Sequence, residues 1–146
     1  MRSLVTSIFL YACESWILTA EQKRKIQAVE MRCYRKLLQI SSKDHVTNEE
    51  VIAKIQQATG PHKHLLMIVK RCKLQWYGHV SRRSSGLAKI ILQGTVKGGR
   101  RQGRQRKRLE DNIRQWIGLE FGKSQRAVEN REKWRKLVAK SSVVPQ

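Results

Sequence analysis

Acidic residues are few for so basic a chain: 146 residues carry 11 Asp and Glu against 31 Lys and Arg, a formal charge of +20 and a pI near 10.7. Aspartate occurs only at Asp44 and Asp111, and neither has an aspartate beside it. A two-metal polymerase or nuclease site needs several converging carboxylates to hold its ions, so this composition argues against one. Cysteine is sparse and odd in number, with Cys13, Cys33 and Cys72. A disulfide scaffold is thereby excluded, a reducing compartment is expected, and the three read as small buried hydrophobes. Zinc is not expected either, because Cys72, His79, His62 and His64 lack the close pairs such as Cys-x2-Cys that structural zinc sites use. No apolar run is long enough to cross a bilayer. The apolar stretch from Leu4 to Cys13 is broken by Thr6 and Ser7 and is followed by Glu14, Ser15 and Trp16 instead of a small-residue cleavage site. A secretory leader is therefore not expected, and the localisation expected is nuclear or cytoplasmic.

What is abundant is positive charge, concentrated between Lys97 and Arg108. The segment KGGRRQGRQRKR holds seven cations, Lys97, Arg100, Arg101, Arg104, Arg106, Lys107 and Arg108, beside three glycines, with no acid and no large apolar side chain. Mutual repulsion and glycine entropy oppose ordering, and nothing in the segment offsets them by entering a core. It reads as a solvated basic arm whose partner is a polyanion. RNA or DNA fits best, because each cation that neutralises a phosphate releases condensed counterion. An anionic membrane fits less well, since the arm lacks the interleaved Leu, Phe or Trp of an interfacial helix.

The remainder has helical periodicity. Thr19 and Gln22 have capping-box spacing ahead of Ile26, Val29, Cys33 and Leu37, which share one helical face. Thr47 and Glu50 open a shorter helix that Gly60 and Pro61 end. Leu65, Val69, Cys72 and Trp76 form the apolar face of a third helix, with Lys63, Lys70, Arg71 and Lys73 on its basic surface and Gly78 as its expected end. Residues 87 to 96 fit a strand or a helical turn. Leu109, Ile113, Trp116 and Ile117 make another stripe, with Glu110 and Asp111 in its first turn. A last helix is expected after Ser124, presenting Val128, Trp134, Leu137 and Val138. The fold class expected is all-α: a small bundle of about five to six helices, arranged as a helical region 1–94, a flexible basic arm 95–108 and a C-terminal helical pair and tail 109–146. Trp16, Trp76, Trp116 and Trp134 lie at helical positions and read as packing residues, not as base-stacking platforms. Lys70, Arg71 and Lys73, together with Arg32, Arg35 and Lys36, are candidates to extend the arm's phosphate track.

Four segments follow one another in the chain: YACESWILTAEQKRKIQAVEMRCYRKLLQISSKDHVTNEEV, LQWYGHVSRR, the Gly-Arg arm and ENREKWRKLV. Their order resembles the C-terminal region of reverse transcriptases of LINE-type (non-LTR) retrotransposons. The most specific pieces are Cys13, Glu14 and Trp16, the stretch Glu30-Met31-Arg32-Cys33, the triplet Gly78-His79-Val80, and Asn130-Arg131 with Trp134-Arg135. The resemblance implies a thumb-like helical piece and an extension that hold template RNA and target DNA. It also implies a polymerase core as a possible partner. The palm with its paired aspartates is not expected within these residues, so no catalytic residue, metal or cofactor is assigned. Where the family tends to have Arg-Gly-Arg-Pro, this chain has Gly103-Arg104-Gln105, and Leu109 stands where the family tends to have Trp. Without the proline the arm loses a preset extended backbone, which favours general phosphate contact over a defined A·T-groove fit.

Overall fold

The computed structural model describes residues 4–61, 63–93 and 107–141, and all their regular structure is helical. Eight α-helices are present among the described residues: α1 Leu4–Leu10, α2 Ala20–Leu37, α3 Asn48–Thr59, α4 Leu65–Ser81, α5 Leu87–Gln93, α6 Leu109–Ile117, α7 Phe121–Glu129 and α8 Arg131–Ser141. Short 3-10 turns at Cys13–Ser15 and Ser42–Asp44 complete the set. The all-α class is as expected. The ambiguous stretch after residue 86 is helical as α5, which with α1 and a divided C-terminal segment brings the number above five or six.

The chain divides into two compact units, Thr19–Ile68 and the flanking segments Met1–Leu18 with Val69–Gln146. In the unit Thr19–Ile68, α2 starts where the capping box placed it. Gln22 N donates to Thr19 Oγ1 at 3.2 Å, and Thr19 N donates to Gln22 Oε1 at 2.8 Å. Glu50 N donates to Thr47 Oγ1 at 3.3 Å to open α3, and Gly60 ends that helix at φ +75°, a conformation open to glycine without a Cβ penalty. α2 packs on α3, and Ile26, Val51 and Ile55 are buried. The expected apolar face of α2 is only partly realised, because Val29 and Leu37 are exposed while Glu30 is buried. The Glu30 carboxylate accepts from Tyr34 Oη at 2.9 Å and from Leu65 N at 2.8 Å, so a negative group meets the first turn of α4. Arg35 Nη2 donates to Val46 O at 2.7 Å and to Asn48 Oδ1 at 2.9 Å, tying the loop after α2 to the start of α3.

In the unit Met1–Leu18 with Val69–Gln146, the core gathers Val69, Leu74, Tyr77 and Val80 from α4, Ile113 and Trp116 from α6, Val128 from α7, and Trp134 and Val138 from α8. Cys13 and Leu18 join them from the N-terminal segment. The buried face of α4 is therefore one residue off the expected one: Lys70, Lys73, Leu74 and Tyr77 point inward, and Cys72 and Trp76 lie at its edge. Lysine stems are apolar for most of their length, which lets two positions written as basic surface sit inside. Gly78 does not end α4; the helix runs on to Ser81. Nor is there one last helix after Ser124. α7 begins at Phe121, and Asn130 interrupts with an extended backbone, its Oδ1 accepting from Glu132 N at 3.1 Å and Lys133 N at 3.0 Å to open α8. A side chain that caps competes with helix continuation, which is why one apolar stripe folds as two helices. Ser124 is buried against the Tyr77 hydroxyl at 3.1 Å.

Candidate nucleic-acid interface

Of the seven arm cations, Lys97, Arg100, Arg101, Arg104 and Arg106 lie outside the described residues. Lys107 is half-buried and Arg108 exposed, immediately ahead of α6. Arg108 N donates to Asp111 Oδ2 at 2.6 Å, so the end of the basic stretch is fixed to the first turn of α6. Glu110, its neighbour, is half-buried with one carboxylate oxygen unpaired. Burial first, and Asp111 beside it, push the Glu110 carboxyl above its usual range against the opposing charge of Arg108. Asp111 thus fits the helix-terminal role expected of the pair, whereas Glu110 is a partly desolvated acid.

The three candidates on α4 separate. Arg71 is exposed. Lys70 is 4% exposed, with its Nζ 5.9 Å from the centroid of the Trp116 ring. Lys73 is 0% exposed, and its ammonium donates to Glu14 O at 3.1 Å and to Trp16 O. Lys70 and Lys73 therefore face the interior instead of lying with Arg71 on a solvent track. Burial lowers Lys73 from 10.5 to about 8, opposed by Cys13 and Glu14. Burial likewise pushes the Cys13 thiol from 9.0 up to about 12, reinforced by Cys72 and Glu14. An enclosed, weakly acidic thiol is a poor nucleophile. On α2, Arg32 and Lys36 are exposed, while Arg35 is engaged with Val46 and Asn48.

Two of the four tryptophans belong to the core. Trp116 and Trp134 are buried, whereas Trp16 and Trp76 are half-buried, Trp16 meeting Phe9 edge-on at 5.6 Å.

Sequence reasoning did not single out one cationic grouping. Arg82 Nη1, at the end of α4, donates to Val128 O at 3.2 Å in the last turn of α7. Arg131 and Arg135 stand one turn apart on α8, both exposed. Partial burial, then the charges of Arg131 and Arg135, lower the proton affinity of Arg82. Arg131 and Arg135 are visible in sequence as a like-charged pair at i,i+4, but Arg82 joins them only through the packing of α4 on the C-terminal helices.

Comparison with protein-family models, with curated proteins and with solved structures gave no match. Among the described residues, no group of three or more His, Cys, Asp or Glu side chains is arranged to hold a metal ion. Among the same residues, no helix is long and apolar enough to cross a membrane.

Proposed function

We propose that these residues form a non-catalytic nucleic-acid-binding segment related to the C-terminal part of LINE-type reverse transcriptases, engaging RNA or DNA through backbone phosphates. The observation that carries the reading is the charge distribution: +20 overall, with seven cations in the twelve residues from Lys97 to Arg108. Phosphate contact supplies affinity without base recognition, so the binding is tolerant of sequence and steep in salt. Arg71, exposed on α4, is a further contact, and Arg108, at the end of the arm, is exposed as well. The order of the segments around the arm supports the family relationship, and polymerisation is not part of the function proposed for these residues.

Replacing the seven arm cations with Gln tests the assignment. Binding of a labelled duplex and a labelled single-stranded RNA, followed by anisotropy, weakens across sequences, and the salt slope flattens by up to about 6 on the duplex. Unchanged affinity and slope would remove the arm from the interface.

A second reading, a structural piece that packs against a polymerase core, is favoured by Ile8 and Tyr11, which are 77% and 82% exposed. Large apolar side chains left open on α1 and just after it suit a protein partner. On this reading Ile8→Gln with Tyr11→Gln reduces self-association in light scattering and leaves nucleic-acid affinity unchanged.

A further inference from the structure

Arg82 stands where α4 ends beside the junction of α7 and α8, within electrostatic reach of Arg131 and Arg135 on α8. Arg82 is held there by its hydrogen bond to Val128 O, and Asn130 then turns the chain into α8, whose first residue is Arg131 and whose fifth is Arg135. Residues at i,i+4 lie on the same helical face, and like charges so placed oppose helix formation. Glu129 and Glu132 flank Arg131 in sequence, yet none of the three arginines forms an ion pair with a carboxylate among the described residues. Partial burial first, and then the charges of Arg131 and Arg135, lower the proton affinity of Arg82. Val128 O accepts one bond from Arg82, which leaves most of its five donors, and those of two exposed guanidiniums, for an external acceptor. The anion that answers three forks at once needs several oxygens around one centre and more than a single acceptor edge. A phosphate group has that form, and Arg matches it bidentately.

We propose that Arg82, Arg131 and Arg135 form a phosphate-binding cluster that takes a backbone phosphate of a bound nucleic acid, as a second contact in addition to the Lys97–Arg108 arm. This rests on the nucleic-acid reading above. Arg82 is the anchored member, and Arg131 and Arg135 close on the phosphate from the exposed side. The cluster belongs to folded helices, so it holds a phosphate at a fixed point and gives the bound strand a register that a charge run alone does not supply.

The test uses the full chain with Arg131→Gln and Arg135→Gln together, both exposed positions that leave the Arg82 to Val128 bond in place. Lys54→Gln with Lys140→Gln, also exposed, removes the same charge elsewhere. Anisotropy titrations of a labelled duplex between about 50 and 200 mM salt read log K against log salt for each protein. The expected result is a slope shallower by up to about 1 for the arginine variant than for the parent, the loss of one phosphate contact, with a smaller change in the lysine variant. Equal changes in the two variants, or no change in the arginine variant while the parent binds, would overturn the cluster and leave the arm reading intact. A parent chain that binds neither duplex nor single-stranded RNA removes the nucleic-acid reading itself. Pyrophosphate provides the remaining arm. If it raises the melting temperature of the parent and not of the arginine variant, while nucleic-acid binding is the same for both, the cluster is a site for free phosphates and the proposal fails.

Discussion

The indole of Trp134 lies directly against the bare Cα of Gly78, so that a Cβ added at that glycine would fall 2.7 Å from Trp134 Cδ1 and closer still to Nε1. The same Nε1 donates to Leu74 O at 3.0 Å, one turn earlier on α4, and the ring tilts against Tyr77 at 5.7 Å. A glycine inside a helix costs about 1 kcal/mol relative to alanine, so its presence in α4 is explained by the tryptophan it admits. Two segments far apart in the sequence, Gly78-His79-Val80 and Asn130 to Arg135, thus contain partners in one packing contact.

Gly78→Ala is accordingly expected to destabilise, against the helix-propensity trend. Overpacking of this kind costs about 1–3 kcal/mol, and urea unfolding of the variant measures it. A stabilised variant would mean that Trp134 can leave α4 without loss.

Asn112 supplies a second long-range tie. Its Nδ2 donates to Leu18 O and its Oδ1 accepts from Leu18 N, both at 2.9 Å, which reproduces the pairing of a peptide group inside the core. Asn112→Leu leaves a buried donor and a buried acceptor at Leu18 without partners, at a cost of roughly 1–3 kcal/mol for each group stranded. Hydrogen exchange at the Leu18 amide should accelerate more in this variant than exchange at amides within α7.

Lys73 makes stability depend on pH in an identifiable window. Its folded value of about 8 lies below the ordinary 10.5, so between these values the unfolded chain holds more protons and stability rises with pH. Cys13 acts oppositely above 9.0, since its folded thiol keeps a proton up to about 12 that the unfolded thiol gives up. Melting temperature should therefore increase from neutral pH toward the ordinary thiol value of 9.0 and flatten or fall beyond it. Lys73→Met should abolish the increase; an unchanged profile in that variant would assign the effect elsewhere.

Thiol labelling provides an independent check on the same region. Cys13 is buried with its thiol pushed up to about 12, while Cys33 and Cys72 are partly open. Mass spectrometry after brief alkylation at mildly alkaline pH should find Cys33 and Cys72 modified well before Cys13. Early labelling of Cys13 would mean that the N-terminal segment does not close over it.

Helix starts and stops were largely legible in the sequence because they depend on neighbours. The Thr19–Gln22 box, Thr47 and Gly60 each act within a few residues, and Gly118 ends α6 at φ +71° with its N donating to Arg114 O at 2.9 Å. The inward face of α4 was not legible, because the side chains that decide it, Lys70 and Lys73, announce their charge and conceal their aliphatic stems. The destinations of those ammonium groups, the Trp116 ring and the carbonyls of Glu14 and Trp16, are remote in sequence. Gly78 read as a stop for the same reason: its purpose is Trp134, far along the chain. The cationic arm was conspicuous as composition, whereas the Arg82, Arg131 and Arg135 cluster exists only once α4, α7 and α8 pack.

The most direct measurement is the equilibrium affinity of the unmodified chain for a short mixed-sequence duplex and for single-stranded RNA of the same length, at several salt concentrations. Nucleic-acid binding through phosphates predicts tight association at low salt and log K falling linearly with log salt, with a slope of about −6 on the duplex if the seven arm cations engage and steeper if the arginine cluster adds to them. No association at low salt with either nucleic acid, or an affinity that salt does not move, would contradict it.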